Sequence, residues 1–145
     1  MRDALQRHID TIEEAYEFML AYAAQGLSGE AGSKPGGQLR EFLSRAATAM
    51  ASLGDVFSRL VAEERLAPAD QYGRYRDLLV ADAQRSLAAL ELVLAQPSIS
   101  SQLIDNLNAS MHLRALLTDL FLIDEILKAP SAPSALIEGK SVTAS

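Results

Sequence analysis

A chain of 145 residues is long enough for one domain with a buried core. Hydrophobic residues make up 49% and charged residues 22%, and the net charge of -6, from 19 acidic and 13 basic residues, excludes a broadly basic surface for nucleic acid or anionic membrane. The absence of cysteine excludes disulfides, thiolate nucleophiles and Cys-ligated metals, and nothing calls for an oxidising compartment.

Met1-Arg2-Asp3-Ala4 leads straight into an amphipathic pattern, without the apolar core of a signal peptide. The apolar runs fall short of the roughly 20 residues needed to span a bilayer. A soluble cytoplasmic protein is expected. The first helix is predicted from about Asp3 to Gln25, with Asp3 as cap and Gln6 completing a capping box. Leu5, Ile9, Ile12, Tyr16, Met19 and Ala23 alternate in steps of 4 and 3, the spacing of a bundle-facing stripe. Ala15, Phe18 and Tyr22 form a second set away from it. With the first stripe inward, Phe18 and Tyr22 point outward and are candidates for binding a partner.

Gly26 to Gly37 holds five glycines, two serines and a proline in twelve residues and reads as a flexible connection. Its Gly32-Ser33-Lys34 does not meet the phosphate-loop pattern, and no strand precedes it. A second helix is predicted over 38–66, small-sided through Ala46, Ala49 and Gly54, which permits a close helix approach. A third is predicted over 69–95 on Tyr75, Leu79, Ala83, Leu87, Leu90 and Leu94. Its opening interleaves Tyr72 and Tyr75 with Arg74 and Arg76, a pairing that can stack on nucleic acid. Two arginines on an acidic chain do not carry that reading, and no nucleic-acid partner is expected.

Pro97 stops the third helix, and Ser98 is the expected cap of a fourth running to Lys128. The second half of this helix is apolar on most of its circumference, so neighbours on several sides are expected. The expected fold is all-α: an up-down-up-down antiparallel four-helix bundle over 1–128, followed by a flexible C-terminal tail over 129–145. That tail carries one small apolar pair, Leu136-Ile137, a candidate docking segment.

Helical bundles often hold metal, but the Glu-x-x-His motif of di-iron bundles is absent, and the chain has only 2 His. Asp105, His112 and Asp119 follow at intervals of seven on the fourth helix. Seven residues rise about 10.5 Å, too far for one ion with donors at about 2.0–2.3 Å. A site there needs the first helix, which by counting from the ends brings His8 level with Asp119 and Glu13 or Glu14 level with His112. The plainer reading is a polar seam that fixes register. No nucleophile–base constellation, dinucleotide fingerprint or carboxylate pair for glycoside hydrolysis is found.

The sequence thus points to a non-catalytic bundle acting through protein–protein interaction, in an accessory, adaptor or scaffold role, with a partner or with itself. Phe18, Tyr22, Leu136 and Ile137 are its candidate contacts. The alternative is a small-molecule or metal-binding bundle with a polar site of His8, Asp105, His112 and Asp119 between the first and fourth helices. No cofactor is predicted, and a metal belongs to the alternative alone.

Overall fold

A computed structural model describes residues 1–129, and among these the chain is all-helical, with no strand. Five helices follow in order: α1 (Arg2–Ala23), α2 (Lys34–Glu64), α3 (Ala69–Leu94), α4 (Ser101–Asn108) and α5 (Met111–Lys128). α1 packs on α2 and α4, α2 packs on α3, and α3 packs on α5. No helix among the described residues is long and apolar enough to cross a membrane.

α1 begins without a side-chain cap. Asp3 lies inside its first turn, and Gln6 Nε2 donates to Asp10 Oδ1 at 2.9 Å, so the expected capping box does not form. Asp3 still complements the positive end of the helix dipole. The buried face runs through Leu5, Ile9, Ile12, Ala15, Met19 and Tyr22. It leaves the predicted stripe after Ile12, because the C-terminal half of α1 is covered by α4 and the turn before it. The Tyr22 hydroxyl donates to the Ile99 carbonyl at 2.7 Å, which satisfies the buried phenol.

The glycine-rich stretch is a docked loop, not a free linker. Leu27 exchanges hydrogen bonds with Ser101: its carbonyl accepts from Ser101 N–H at 2.8 Å, and its N–H donates to Ser101 Oγ at 2.9 Å. The Glu30 carboxylate accepts from Ile99 N–H at 2.6 Å and from the Arg40 guanidinium. Ser33 caps α2 by accepting from Gly36 N–H at 2.9 Å, with Pro35 in the first turn, so α2 starts earlier than predicted. Gly36 is required here, since a Cβ would stand 1.9 Å from the Glu30 carbonyl oxygen.

Farther along α2, a Cβ on Gly54 would meet Val80 Cγ2 at 2.5 Å. The small-sided middle of α2 therefore serves a close approach to α3. Leu43, Leu53, Phe57, Leu79, Leu116 and Leu120 lie in the common core.

The predicted fourth helix is two helices. Ser100, not Ser98, caps α4 by accepting from Leu103 N–H at 3.0 Å. The helix stops at Asn108-Ala109, and Ser110 turns the backbone with ψ 128 before α5 begins. Asn and Ser side chains compete with helical hydrogen bonds, and two of them within three residues weaken continuation. The break separates the fourth side into α4, which lies on α1, and α5, which lies on α3.

Candidate functional site

The residues of the predicted polar site are not brought together. His8 faces α2: Nδ1 lies 2.7 Å from the Ala4 carbonyl and Nε2 lies 2.8 Å from Ser52 Oγ. Asp105 is exposed on α4 and His112 is exposed at the start of α5. The break between these helices removes the single face that a spacing of seven assumed. Asp119 is buried, but toward α3, where the Tyr75 hydroxyl donates to its carbonyl at 2.5 Å. His8 and Asp119 therefore belong to different seams, and α1 completes no site on α5. Among the described residues, no group of three or more His, Asp or Glu stands close enough to hold a metal ion.

The predicted partner contacts also need correction. Tyr22 is fully buried and bonded to Ile99, so it offers nothing to a partner. Phe18 is half-buried and stacks on Phe42 with ring centroids 4.4 Å apart, a contact that joins α1 to α2 within the chain. Arg45 covers the Phe42 ring at 4.9 Å. Leu136 and Ile137 lie outside the described residues.

Two features that the sequence did not single out lie on and under α5. The first is a carboxyl pair in the α3–α5 seam. Asp82 is 7% exposed and Asp119 is 8% exposed. Burial, and then the adjacent Asp82 carboxyl, raise the Asp119 carboxyl to about 7. Two like groups out of water cannot both ionise cheaply, so the pair holds a proton across part of the neutral range. Arg85 lies 3.7 Å from Asp82 but is itself mostly exposed, and it offsets little. Burial and the two carboxylates also push the Tyr75 phenol up, which keeps it a hydrogen-bond donor. Asp119 Oδ2 and, one turn beyond Asp82, Ser86 Oγ have no hydrogen-bond partner among the described residues. This arrangement can hold and release a proton.

The second feature is the outward face of α5. Met111, Phe121, Leu122 and Ile126 are 81%, 54%, 51% and 45% exposed. Met111, Ala115, Thr118 and Leu122 follow in steps of 4, 3 and 4, the period of a coiled-coil seam, and among them Met111, Thr118 and Leu122 are exposed while Ala115 is half-buried. Met111, Arg114, Ala115, Thr118 and Asp119 line a shallow depression on this side of α5, open to solvent. Leu78 of α3, one turn after the seam residue Tyr75, is also exposed. Fully removing one such side chain from water is worth about 1.5–3 kcal/mol. A row of them left in solvent is a standing source of binding energy.

Compared with protein-family models, curated proteins and solved structures, the chain gives no match. The reading of function therefore rests on the residues themselves.

Proposed function

We propose that this protein is a non-catalytic helical bundle that acts by binding protein through the outward face of α5, as an accessory, adaptor or scaffold component in the cytoplasm. The observation that carries the proposal is the uncovered apolar seam of α5, with Phe121, Leu122 and Met111 more than half exposed beside the shallow depression at Ala115 and Thr118. Aromatic residues and Met are enriched where proteins meet. The remainder of the molecule serves as a rigid mount. We read its five helices as an up-down-up-down bundle whose fourth member is divided at Ala109-Ser110. Arg2 supports the alternation, since it joins the start of α1 to Glu64 at the end of α2 at 2.8 Å and to the Leu127 carbonyl at the end of α5 at 2.5 Å. Arg40 does the same between the start of α2 and the end of α3, donating to the Leu94 and Gln96 carbonyls at 2.8 and 2.6 Å.

Site-specific photo-crosslinking tests the reading. A photoreactive phenylalanine at Phe121 is expected to give protein adducts in extract of the native host, while the same group at Arg59, exposed on α2, gives none. Leu122→Asp is expected to abolish the Phe121 adducts without changing helical circular dichroism. Equal labelling from both positions would overturn the proposal.

A further inference from the structure

Resting on the reading of α5 as a protein-binding face, we infer that its occupant is a second copy of this chain, with the two α5 helices packed antiparallel about a two-fold axis beside Thr118 and Leu122. The argument is self-complementarity in shape and in charge. The N-terminal half of the face is small-sided at Ala115 and Thr118, which line a shallow open depression. The C-terminal half is bulkier, with Leu122 exposed on the seam and Phe121 and Ile126 exposed on its two flanks. An antiparallel pairing lays the bulky half of each copy over the small half of the other, knob into hole. A parallel pairing sets bulk against bulk and small against small.

Charge selects the same arrangement. Arg114 and Glu125 are both exposed and lie eleven residues apart, about three turns and about 16 Å, which puts them on one flank of the helix. Among the described residues neither has an ion-pair partner, whereas the neighbouring Asp124 is held by Lys128 at 3.0 Å. The two-fold that places bulk on small also sets Arg114 of each copy opposite Glu125 of the other. Both pairs form at once because the interface is isologous. In a parallel dimer the two-fold runs along the helices and puts these flanks on opposite sides of the seam, so Arg114 and Glu125 of the two copies do not meet.

The test uses the full chain in sedimentation equilibrium and light scattering from 1 to 300 µM. A concentration-dependent dimer is expected. Arg114→Glu alone and Glu125→Arg alone each set like charges opposite one another at both ends, and each is expected to weaken the dimer by about tenfold or more at low salt. The double variant R114E/E125R restores opposite charges and is expected to return the dissociation constant to within about threefold of the original. Both residues are exposed, and circular dichroism is the check that each variant is folded. A chain that stays monomeric to 300 µM overturns the inference, as does a dimer in which the double variant is no tighter than the singles. In the monomeric case, Phe121 adducts to a different protein keep the wider reading of α5 as a binding face, and no adducts at all remove that reading as well.

Discussion

Glu30 and Asp119 are both carboxyls drawn into the protein, and their surroundings push them in opposite directions. In the loop before α2, burial alone would raise Glu30, but the Ile99 N–H and the Arg40 guanidinium outweigh it and hold the carboxyl below its ordinary range. In the α3–α5 seam, burial acts on Asp119 in the same sense, and the only strong neighbour is another carboxyl, so the shift is upward to about 7. The sign is thus set by whether the hole in the surface is lined with donors or with a second acid. The first environment is a staple that favours ionisation. The second tolerates folding best when a proton stays.

The largest expected effect breaks the staple. Glu30→Ala leaves the Ile99 N–H without an acceptor beside a fully buried side chain and frees Arg40. Unfolding in urea is expected to show a loss of about 2–3 kcal/mol. A loss below about 0.5 kcal/mol would mean that the loop is not docked through this residue. The same contact predicts acid sensitivity. A carboxyl held low contributes stability above its unfolded value near 4.5, and that contribution disappears as pH falls through its folded value. Glu30→Ala should therefore flatten the acid limb of the stability curve.

The next effect acts in the opposite direction. Asp119 is raised from 3.8 to about 7, so between these values the native state binds more protons than the unfolded chain. Its favourable contribution is complete below about pH 4 and is lost as pH rises to about 7. Asp119→Asn, which holds no charge at any pH, is expected to remove this limb. Melts at pH 8 should show a gain of roughly 1–2 kcal/mol, shrinking toward pH 4. A variant that is equally destabilised at both pH values would place the seam's strain elsewhere.

The smallest effect sharpens the contrast between seams. His8 lies between α1 and α2 with a partner at each ring nitrogen, both neutral. His8→Ala is expected to cost about 1 kcal/mol, the net worth of a hydrogen bond satisfied at a half-exposed seam. Ser52→Ala should cost the same amount or less, and the double variant should cost less than the sum of the two.

Much of this was legible in the spacing of apolar residues. The bounds of α1 and α3, the small-sided middle of α2, and the excess of apolar surface on the last helix follow from period and size, whereas the contact of Gly54 with Val80 needed the structure. What escaped depends on partners remote in the chain. Nothing local in Gly26–Gly37 shows that Glu30 reaches Ile99 and Arg40, so a docked loop reads as a linker. Tyr22 sits off the α1 stripe and becomes buried only because the turn before α4 closes over it. Asp82 and Ser86 occupy heptad-like positions after Tyr75 and Leu79. A scan for apolar residues steps past them to Ala83 and Leu87, although polar residues in a seam were the available signal. The break at Asn108-Ala109-Ser110 lay inside a run that otherwise satisfies helical period. Joining α4 to α5 created the apparent line of Asp105, His112 and Asp119. The outward face of α5 was visible as too much apolar surface for one stripe, but only the packing shows which part stays uncovered.

The break has a further consequence. A continuous fourth helix would bind α1 and α3 into one cooperative body, because opening it anywhere would release both. Divided at Ala109-Ser110, the fourth side distributes its protection in two parts. The amides of α4 are expected to exchange together with α1 and the Tyr22–Ile99 contact, and those of α5 with α3 and the carboxyl pair. Raising the pH toward 8 is expected to loosen the α3–α5 seam first, read as a larger gain in amide exchange in α5 than in α4. The half that loosens first is the one that carries the exposed face.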